Sequence, residues 1–373
     1  MLKIVTRVIL PKMKNRKYSF LAVCLALSAS CIFLSFKNKK VAPEIVTVST
    51  FGKQPAVAVD PNNTIKVVFG QAEEIFYTTS TNNGETFTPP QKIGKQKQLA
   101  LGMTRGPQLT TTKDYTVIAA ADPTGKIMVY QLKNKSNQWG KPVNLLDQDT
   151  TAKEGFVALA SGKDNTVHAV WLDLRLGKKN NIFTASSKDG GKTWSKNKLA
   201  YTSPEGGICP CCRPSITADA KGNVYIMFRN ELEGSRDMYL VTSTDNGQTF
   251  GPAKKLGMGT WVLKACPMDG GALALNKQGK LGTTWRRENT VYYAEPGAME
   301  RKVGEGRASS LVKNAKGNYL VWQHGNQIMA LAPGKLSPEE IGTGTYPRLA
   351  ALTNQQVLGI WESEGKILAR ILP

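Results

Sequence analysis

An eight-residue pattern that recurs along the chain constrains its fold more than any other feature of the sequence. It reads Ser-x-(Asp/Asn)-x-Gly-x-Thr-(Trp/Phe) and begins at Ser80, Ser187 and Ser243. The second and third copies start 56 residues apart, and the first two start 107 apart, which is about two periods; a degenerate copy at residues 135–139 falls between them. Such a period is typical of a structural unit that buries its apolar face only against neighbouring copies of itself.

Each residue type that recurs in the pattern has a local role. Asp or Asn accepts hydrogen bonds from the backbone N–H groups that follow it and so holds a tight turn. Gly takes a positive φ that other residues resist, and the aromatic side chain packs between neighbouring sheets. The pattern therefore predicts a hairpin in which Asp189 and Asp245 are structural and not catalytic.

Short alternating apolar segments surround these hairpins and are separated by turn sequences such as Asp60-Pro-Asn-Asn, which is typical of repeated antiparallel sheets. Seven positions begin such a unit: Pro55, Pro107, Phe156, Pro214, Gly271, Ser309 and Pro347. The last unit contains only three strands, and residues 44–49 can supply its fourth. We therefore predict an all-β fold, a seven-bladed β-propeller closed by pairing of its terminal strands, which removes two exposed sheet edges.

The octapeptide resembles the Asp box, or BNR repeat, of the sialidase superfamily. The resemblance covers nearly the whole chain after residue 41 as architecture, and it implies a propeller; because sialidases have six blades, six is the alternative to seven. Four tryptophans recur at the end of the second strand of a unit and are expected to pack between blades: Trp171, Trp285, Trp322 and Trp361.

The N-terminus has the composition of an export signal. Six basic residues precede an uncharged apolar segment at residues 18–36 that is followed by three lysines. We expect residues 1–36 to be a signal peptide or an N-terminal membrane anchor, residues 37–43 a linker, and residues 44–373 a single propeller domain. A sequence similar to a lipoprotein cleavage site precedes Cys31, so a cleaved signal, a lipid anchor and an uncleaved anchor all stay open. The expected location is the periplasm or the cell envelope.

The net charge is +21, and the residues after the first 36 keep +15 of it. An excess of this size favours an anionic partner, such as an acidic glycan or another acidic ligand of the envelope, and says nothing about fold. A solvated basic surface without a specific partner is the leading interpretation of the charge itself. The basic residues are scattered and form no nucleic-acid-binding motif, so no nucleic acid partner is expected. No cofactor is expected either, and the chain is expected to be a monomer that meets the membrane through its N-terminal segment if that segment is uncleaved or lipidated.

In a propeller, the loops that begin each blade share one face with the loops between second and third strands, whereas the octapeptides lie on the opposite face. The residues on the first of these faces are mostly arginines, with a few carboxylates. Such a set suits an anionic sugar, because guanidinium groups bind carboxylates with two parallel hydrogen bonds. The candidate ligand-binding residues are Arg105, Arg213, Arg229, Arg236, Arg307 and Arg348.

The resemblance to sialidases also implies catalytic roles. The segment Tyr346-Pro-Arg-Leu, followed by Glu362, is similar to the sialidase segment that carries the nucleophilic tyrosine and its supporting glutamate. By the same resemblance Arg213, Arg307 and Arg348 would bind the substrate carboxylate, and Asp173 or Glu154 would be the acid. The first-blade Arg-Ile-Pro motif of sialidases is missing, because Gly52-Lys-Gln-Pro stands there, and a packing role for Tyr346 at the blade rim is the competing interpretation.

Four cysteines follow the N-terminal segment, three of them in Cys209-Pro-Cys211-Cys212 and one at Cys266. An even number in an oxidising compartment favours disulfides. The segment resembles a subgroup of uncharacterised bacterial sialidase-like proteins with a Cys-x-Cys-Cys sequence, in which the downstream Cys-Pro follows one blade later. Two disulfides, one linking Cys266 to the other three, are the leading expectation, and a thiolate metal site with Met268 nearby is the second.

Three functions follow from these observations. The first is an exported sialidase-like propeller that binds an anionic ligand, with exo-sialidase activity as its enzymatic form. The second is a non-catalytic binding or assembly propeller of the cell envelope. The third is a metal- or redox-linked envelope protein that uses the four cysteines.

Overall fold

The structure, a computed structural model, describes residues 44–205 and 207–372. The expected signal or anchor at residues 1–36 and the linker at 37–43 lie outside the described residues. Within the described ranges, no helix has the length and apolarity needed to cross a membrane.

The described chain is built almost entirely of β-strands, which form seven sheets. The first strand is β1 (Val46–Ser49), and it belongs to the last blade. Blade 1 contains β2 (Lys53–Val59), β3 (Ile65–Gln71), β4 (Glu74–Ser80) and β5 (Gln91–Lys95). Blade 2 contains β6 (Gln108–Thr111), β7 (Tyr115–Ala121), β8 (Ile127–Lys133), β9 (Gln138–Trp139) and β10 (Val143–Asn144), where both short strands pair with β8. Blade 3 contains β11 (Val157–Ser161), a 3-10 turn (Lys163–Asn165), β12 (Val167–Asp173), β13 (Asn181–Ser187) and β14 (Lys198–Tyr201).

The remaining blades repeat the same antiparallel meander. Blade 4 contains β15 (Ser215–Ala218), β16 (Val224–Arg229), β17 (Met238–Ser243) and β18 (Lys254–Lys255). Blade 5 contains β19 (Ala272–Leu275), β20 (Leu281–Arg287), β21 (Thr290–Ala294) and β22 (Arg301–Glu305). Blade 6 contains β23 (Arg307–Asn314), β24 (Gly317–His324), β25 (Gln327–Leu331) and β26 (Glu339–Thr343). Blade 7 contains β27 (Thr345–Ala351), β28 (Val357–Ser363) and β29 (Lys366–Leu372), and β1 completes it.

The seven-bladed ring with terminal-strand closure is confirmed, and the six-bladed alternative is wrong. All seven predicted starting positions fall at or next to the innermost strand of a blade. In the closing sheet β1 runs antiparallel to β29, with Val46 opposite Ala369 and Thr47 opposite Leu368.

The three octapeptides form the same hairpin after the third strand of blades 1, 3 and 4. In the third copy the Ser243 hydroxyl donates to Asp245 Oδ1 (2.6 Å) and accepts from Gly247 N (2.9 Å), while Thr249 N donates to Asp245 Oδ1 (2.9 Å). These hydrogen bonds, led by that of Ser243, lower the pKa of Asp245, so it is an ionised turn acceptor. The predicted structural role of the pattern is confirmed by these contacts.

The core consists of seven apolar clusters, and each lies between two neighbouring blades. The four tryptophans of the second strands are buried in these interfaces, as the sequence predicts. Trp322 and Trp361 each lie against a glycine of the preceding blade's outer strand, Gly304 and Gly342, where an added Cβ would come within 2.5 Å of the indole ring. Burial of these rings therefore requires glycine at those two positions.

A backbone irregularity recurs where blades 1, 6 and 7 begin, and it positions residues of the site. A glycine with positive φ (Gly52, Gly306 or Gly344) is followed two residues later by a non-glycine residue with φ near 55°: Gln54 (55°), Ala308 (54°) and Tyr346 (54°). The strand register shifts at each of these places, which is a β-bulge. Bulges of this kind redirect a side chain at a sheet edge.

Candidate functional site

The arginine-rich face is the one on which the loops between blades and between second and third strands lie. The opposite face carries the octapeptide hairpins and the turns between first and second strands, and these turns line a cavity of about 540 Å³ that includes Asp60, Thr112 and Lys313. This cavity lies on the face away from the predicted arginines, as does a second cavity of about 590 Å³ that is lined by Asp219 and Asn276. We call the arginine-rich opening the mouth, defined by Gln108, Arg213, Asp269, Arg307, Tyr346 and Arg348.

Two arginines from distant blades lie within Coulombic reach of each other in the mouth. Arg213 precedes β15 in blade 4 and Arg348 lies in β27 of blade 7, and both are half-buried. Burial lowers the pKa of Arg213 well below its ordinary value, and the neighbouring positive charge of Arg348 lowers it further. Arg213 Nη1 donates to Gln108 Oε1, and Arg348 Nη1 donates to its neighbour Pro347 O (3.3 Å). Neither arginine forms a salt bridge with a described carboxylate, so both keep unused donors.

Asp269 is the carboxylate of the mouth, and it is held by its surroundings. It is buried, it lies 3.3 Å from Arg286 Nε, and it accepts hydrogen bonds from Ala308 N (3.1 Å to Oδ2). Burial raises its pKa, against the opposing charges of Arg286, Arg229 and Arg307. The Ala308 contact supports the bulge of blade 6, so Asp269 joins the loop before blade 5 to the start of blade 6.

The buried Arg229 organises the backbone beneath the mouth. Its Nη1 donates to Arg236 O (2.5 Å), and its Nη2 donates to Asp269 O (3.2 Å) and Arg286 O (2.8 Å). Its guanidinium group also lies 5.2 Å from the Trp261 ring centroid. Because its donors are occupied by carbonyl oxygens, Arg229 acts as a structural connector, although the sequence predicts ligand binding.

The other predicted arginines lie around this centre. Arg307 Nη2 donates to Met268 O (2.9 Å). Arg236 pairs with Glu231 through Nη1 and Oε2 (2.5 Å). Arg105 Nε donates to Glu154 O (2.7 Å), and its guanidinium group lies 4.4 Å from the Phe156 ring centroid.

A cleft of about 320 Å³ lies on the same face beside Arg105 and is also lined by Lys153 and Glu154. The Glu154 carboxylate is half-buried, and its Oε1 accepts a long hydrogen bond from Asn180 Nδ2 (3.4 Å). The cleft offers two cations and one carboxylate to a ligand. Among the described residues, the Glu154 carboxylate has this one hydrogen bond and no salt bridge.

Tyr346 lies in β27 at the start of blade 7. Its hydroxyl accepts a hydrogen bond from Met103 N (3.3 Å), which belongs to the loop between blades 1 and 2. Glu362 stands opposite Thr345 in the strand pairing, and its Oε2 accepts from Gln54 N (3.0 Å). The carboxylate that the resemblance assigns to the tyrosine is thus bonded to the bulge of blade 1.

Asp173, the other predicted acid, is fully buried and surrounded by donors. Its oxygens accept from Trp171 Nε1 (2.7 Å), Thr151 Oγ1 (3.0 Å) and Arg175 N (2.8 Å). Arg175 adds a bidentate ion pair through Nε (3.0 Å) and Nη2 (2.8 Å). These five hydrogen bonds fix the Asp173 carboxylate inside blade 3.

The three cysteines of the Cys209–Cys212 segment form a compact cluster. Cys209 Sγ lies 3.5 Å from Cys211 Sγ and 3.4 Å from Cys212 Sγ, and all three sulfurs lie within 4.8 Å of one another. All four described cysteines are free, and the exposed Cys266 is outside the cluster. The two expected disulfides are therefore not formed among the described cysteines. The loop that carries Cys266 places the backbone N–H group of Asp269 next to Cys212, and the Cys266 thiol lies outside the cluster.

Comparison with known proteins agrees with the fold. No protein-family model matches the chain, and no curated protein sequence matches it. Among solved structures, a polysaccharide lyase, an ulvan lyase bound to -[GlcA(1-4)Rha3S]-, has a TM-score of 0.55 and 11% identity over 88% of this chain and 96% of its own.

Two further structures are similar at about the same level. The α-L-arabinanase of Penicillium chrysogenum, complexed with arabinobiose, has a TM-score of 0.50 and 13% identity over 88% of this chain and 98% of its own. A Hadza microbial sialidase has a TM-score of 0.51 and 14% identity over 87% of this chain and 66% of its own. The chain thus has the propeller architecture that sialidases and other glycan-active propellers also have.

Two residues of the site have no signal in the sequence analysis. Gln108 follows a recognised blade start, but nothing in the sequence indicates its contact with Arg213. Trp261 lies in the long loop before blade 5, and its ring is within 5.2 Å of Arg229 and 5.4 Å of Arg286. Gln108 and Arg213 come from blades 2 and 4, and Trp261 contacts strands of blades 4 and 5, so both contacts depend on packing between blades.

Proposed function

We propose that this protein is an exported binding propeller of the cell envelope that takes an anionic saccharide at its mouth, with Arg213 and Arg348 as the carboxylate-binding pair. One observation carries the proposal: two half-buried guanidinium groups from blades 4 and 7 lie within Coulombic reach of each other, and neither forms a salt bridge with a described carboxylate, although the charge of Asp269 acts on Arg348. Like charges at close range are unfavourable unless something else is gained, and an anionic ligand would remove the repulsion. The basic and apolar start of the sequence supports the location.

The chemistry of arginine favours a carboxylate or sulfate over a neutral sugar. A guanidinium group binds planar anions with two parallel hydrogen bonds, and the strength of these bonds rises where water is excluded. Arg307 adds a further cation at the rim, and the cleft beside Arg105 gives room for the rest of a saccharide. The ulvan lyase with a related fold is bound to a saccharide that contains GlcA. That ligand supports testing uronic acids alongside sialic acid.

We propose binding without hydrolysis of the sialidase kind. A tyrosine nucleophile needs a carboxylate that accepts its proton, and a leaving group needs an acid. Glu362 is engaged with Gln54 N and Asp173 with Arg175, which supports structural roles for both carboxylates. Tyr346 would then contribute its ring and hydroxyl to the rim of the binding site.

Calorimetric titration of the full chain with N-acetylneuraminate, glucuronate and uncharged galactose tests the proposal. The two acids are expected to bind, galactose is not, and affinity is expected to fall with added salt. Arg348→Lys keeps the charge but loses the two-bond geometry, and a loss of about tenfold in affinity is expected. Arg301→Gln is the matched control, because Arg301 is exposed on an outer strand of blade 5.

Equal binding of galactose and the acids, or an unchanged affinity in Arg348→Lys, would contradict the proposal. A fluorogenic sialoside assay completes the test. No turnover is expected, and turnover that disappears in Tyr346→Phe would replace the binding role with an enzymatic one.

A further inference from the structure

The three-thiol cluster is the strongest concentration of metal-binding atoms in the described part of the chain. Cys209 and Cys212 are almost completely buried, whereas Cys211 is half-buried. The turn Cys209-Pro-Cys211-Cys212 directs the three side chains to one point, and their sulfurs lie within 4.8 Å of one another. Three sulfurs bound to one ion at about 2.3 Å would lie roughly 4 Å apart, so a shift of a few tenths of an ångström would accommodate an ion.

Backbone hydrogen-bond donors surround the cluster. Two backbone N–H groups point at sulfur, from Cys211 to Cys209 and from Asp269 to Cys212. N–H···S bonds of this kind are what a buried thiolate needs in place of water.

Four arginines lie within Coulombic reach of these sulfurs. Arg105 and Arg236 act on the Cys211 side, and Arg229 and Arg286 act on the Cys212 side. The positive charges of these arginines repel a free metal cation, but they stabilise a metal–thiolate complex whose total charge is negative. Three thiolates and one monovalent ion carry a net charge of −2, whereas three thiolates and a divalent ion carry −1.

We propose that Cys209, Cys211 and Cys212 form a binding site for a single monovalent soft metal ion, Cu(I), with all three thiolates as ligands. Binding releases the thiol protons to solvent and transfers no electrons. The site lies beside the mouth, where the Asp269 N–H contacts Cys212, and its three ligands are not among the residues that define the mouth.

The ligand set favours Cu(I) over zinc. Structural zinc sites are four-coordinate and use Cys, His or carboxylate ligands. No histidine or carboxylate among the described residues joins the three sulfurs within the same radius. His168 and His324 lie elsewhere, in β12 and at the end of β24. Soft thiolate ligands in a set of three suit Cu(I), which accepts low coordination numbers.

The loop that contacts the cluster also offers a route for the ion. Asp269 N reaches Cys212, and the same loop carries two exposed soft side chains, Cys266 and Met268. Met268 has a positive φ of 51° and its carbonyl is fixed by Arg307. These side chains lie outside the three-sulfur set, so they are expected to assist transfer and not to hold the ion at equilibrium.

The test is anaerobic titration of the reduced full chain with Cu(I) in competition with bicinchoninate. One Cu(I) per chain is expected, and X-ray absorption should show three sulfur neighbours. Cys211→Ser is expected to weaken Cu(I) binding by at least about 100-fold, since even loss of a group that only orients a ligand costs 10- to 100-fold. Cys266→Ser is the matched control and is expected to keep both the stoichiometry and the affinity.

Thermal unfolding of the two variants shows whether each folds. If Cys211→Ser does not fold, the stoichiometry and the sulfur count of the unchanged protein still decide. The proposal is overturned if the reduced chain takes no copper from bicinchoninate, if Cys266→Ser loses as much affinity as Cys211→Ser, or if zinc is bound with four ligands in preference to Cu(I).

Discussion

The backbone N–H of Gln54, in the first blade, donates to the carboxylate of Glu362, in the last blade, over 3.0 Å and across 308 residues of sequence. Gln54 is buried and has a positive φ of 55°, so its N–H group points away from the ladder of its own sheet and needs another acceptor. The contact therefore stabilises a bulge and the junction between the two ends of the ring at the same time.

Glu362→Ala is expected to destabilise the fold by about 1–3 kcal/mol, because it leaves the Gln54 N–H group buried without an acceptor. Glu362→Gln keeps an acceptor oxygen and is expected to cost less. Urea unfolding followed by circular dichroism measures both, with the exposed Glu339→Ala as control. A Glu362→Ala protein as stable as the unchanged chain would show that the contact contributes nothing.

Asp173→Asn is expected to destabilise blade 3 by about 3 kcal/mol, because the substitution removes a buried charge partner of Arg175 and turns an amide N–H₂ group toward other donors. The midpoint of thermal unfolding is the measurement. Glu85→Gln, at an exposed position of the first octapeptide, is the matched change of a carboxylate to an amide. Loss of ligand binding in Asp173→Asn without loss of stability would instead favour a role for Asp173 at the site.

The buried His168 is expected to make the free energy of unfolding depend on pH. Burial lowers its pKa from 6.5 to about 4, and the neighbouring Asn246 side chain opposes the shift. Between pH 6.5 and 4 the unfolded chain takes up a proton that the folded chain refuses, so stability falls as the pH is lowered through this window. A shift of this size corresponds to about 3 kcal/mol.

His168→Gln is expected to flatten that part of the pH profile, as measured by urea midpoints between pH 7 and pH 4. The only other histidine, His324, is exposed, so His324→Gln is expected to leave the profile unchanged. A steep profile that persists in His168→Gln would assign the acid sensitivity to other groups.

Gly342→Ala is expected to destabilise the interface of blades 6 and 7 by about 1–3 kcal/mol, because the added methyl group would lie 2.5 Å from Cζ2 of the buried Trp361. The emission maximum of tryptophan fluorescence and the unfolding midpoint report the displacement. Gly251→Ala is the control, since its nearest neighbour is Thr242 O at 3.7 Å. Equal stability of the two variants would contradict the packing argument.

The blade count could be predicted because its signals are local. Turn residues such as Asp60 form the bends that the sequence indicates, with Asn62 N and Thr64 N donating to its Oδ1 at 2.9 and 3.0 Å. The closing strand was predictable too, because an incomplete last unit and a spare first strand match. Octapeptides, turns and strands each depend on neighbours a few residues away.

The details of the site were harder to predict because they depend on contacts between blades. Glu362 and Asp173 are carboxylates on the predicted face, yet their partners Gln54 and Arg175 occupy them. The disulfide expectation followed from the even number of cysteines, but pairing depends on which atoms of the Cys266 loop face the thiols. Composition and spacing do not contain that information.

The pairing of β1 with β29 has a consequence for the order of folding. The strand that is synthesised first finds its partner only in residues made last, Ile367 to Ala369. Until β29 is made, β1 has no strand to pair with and the ring of blades stays open. The unpaired strand edges can then pair with other chains. A chain that stops before Lys366 would therefore carry six finished blades with a gap beside them, and aggregation is its expected fate.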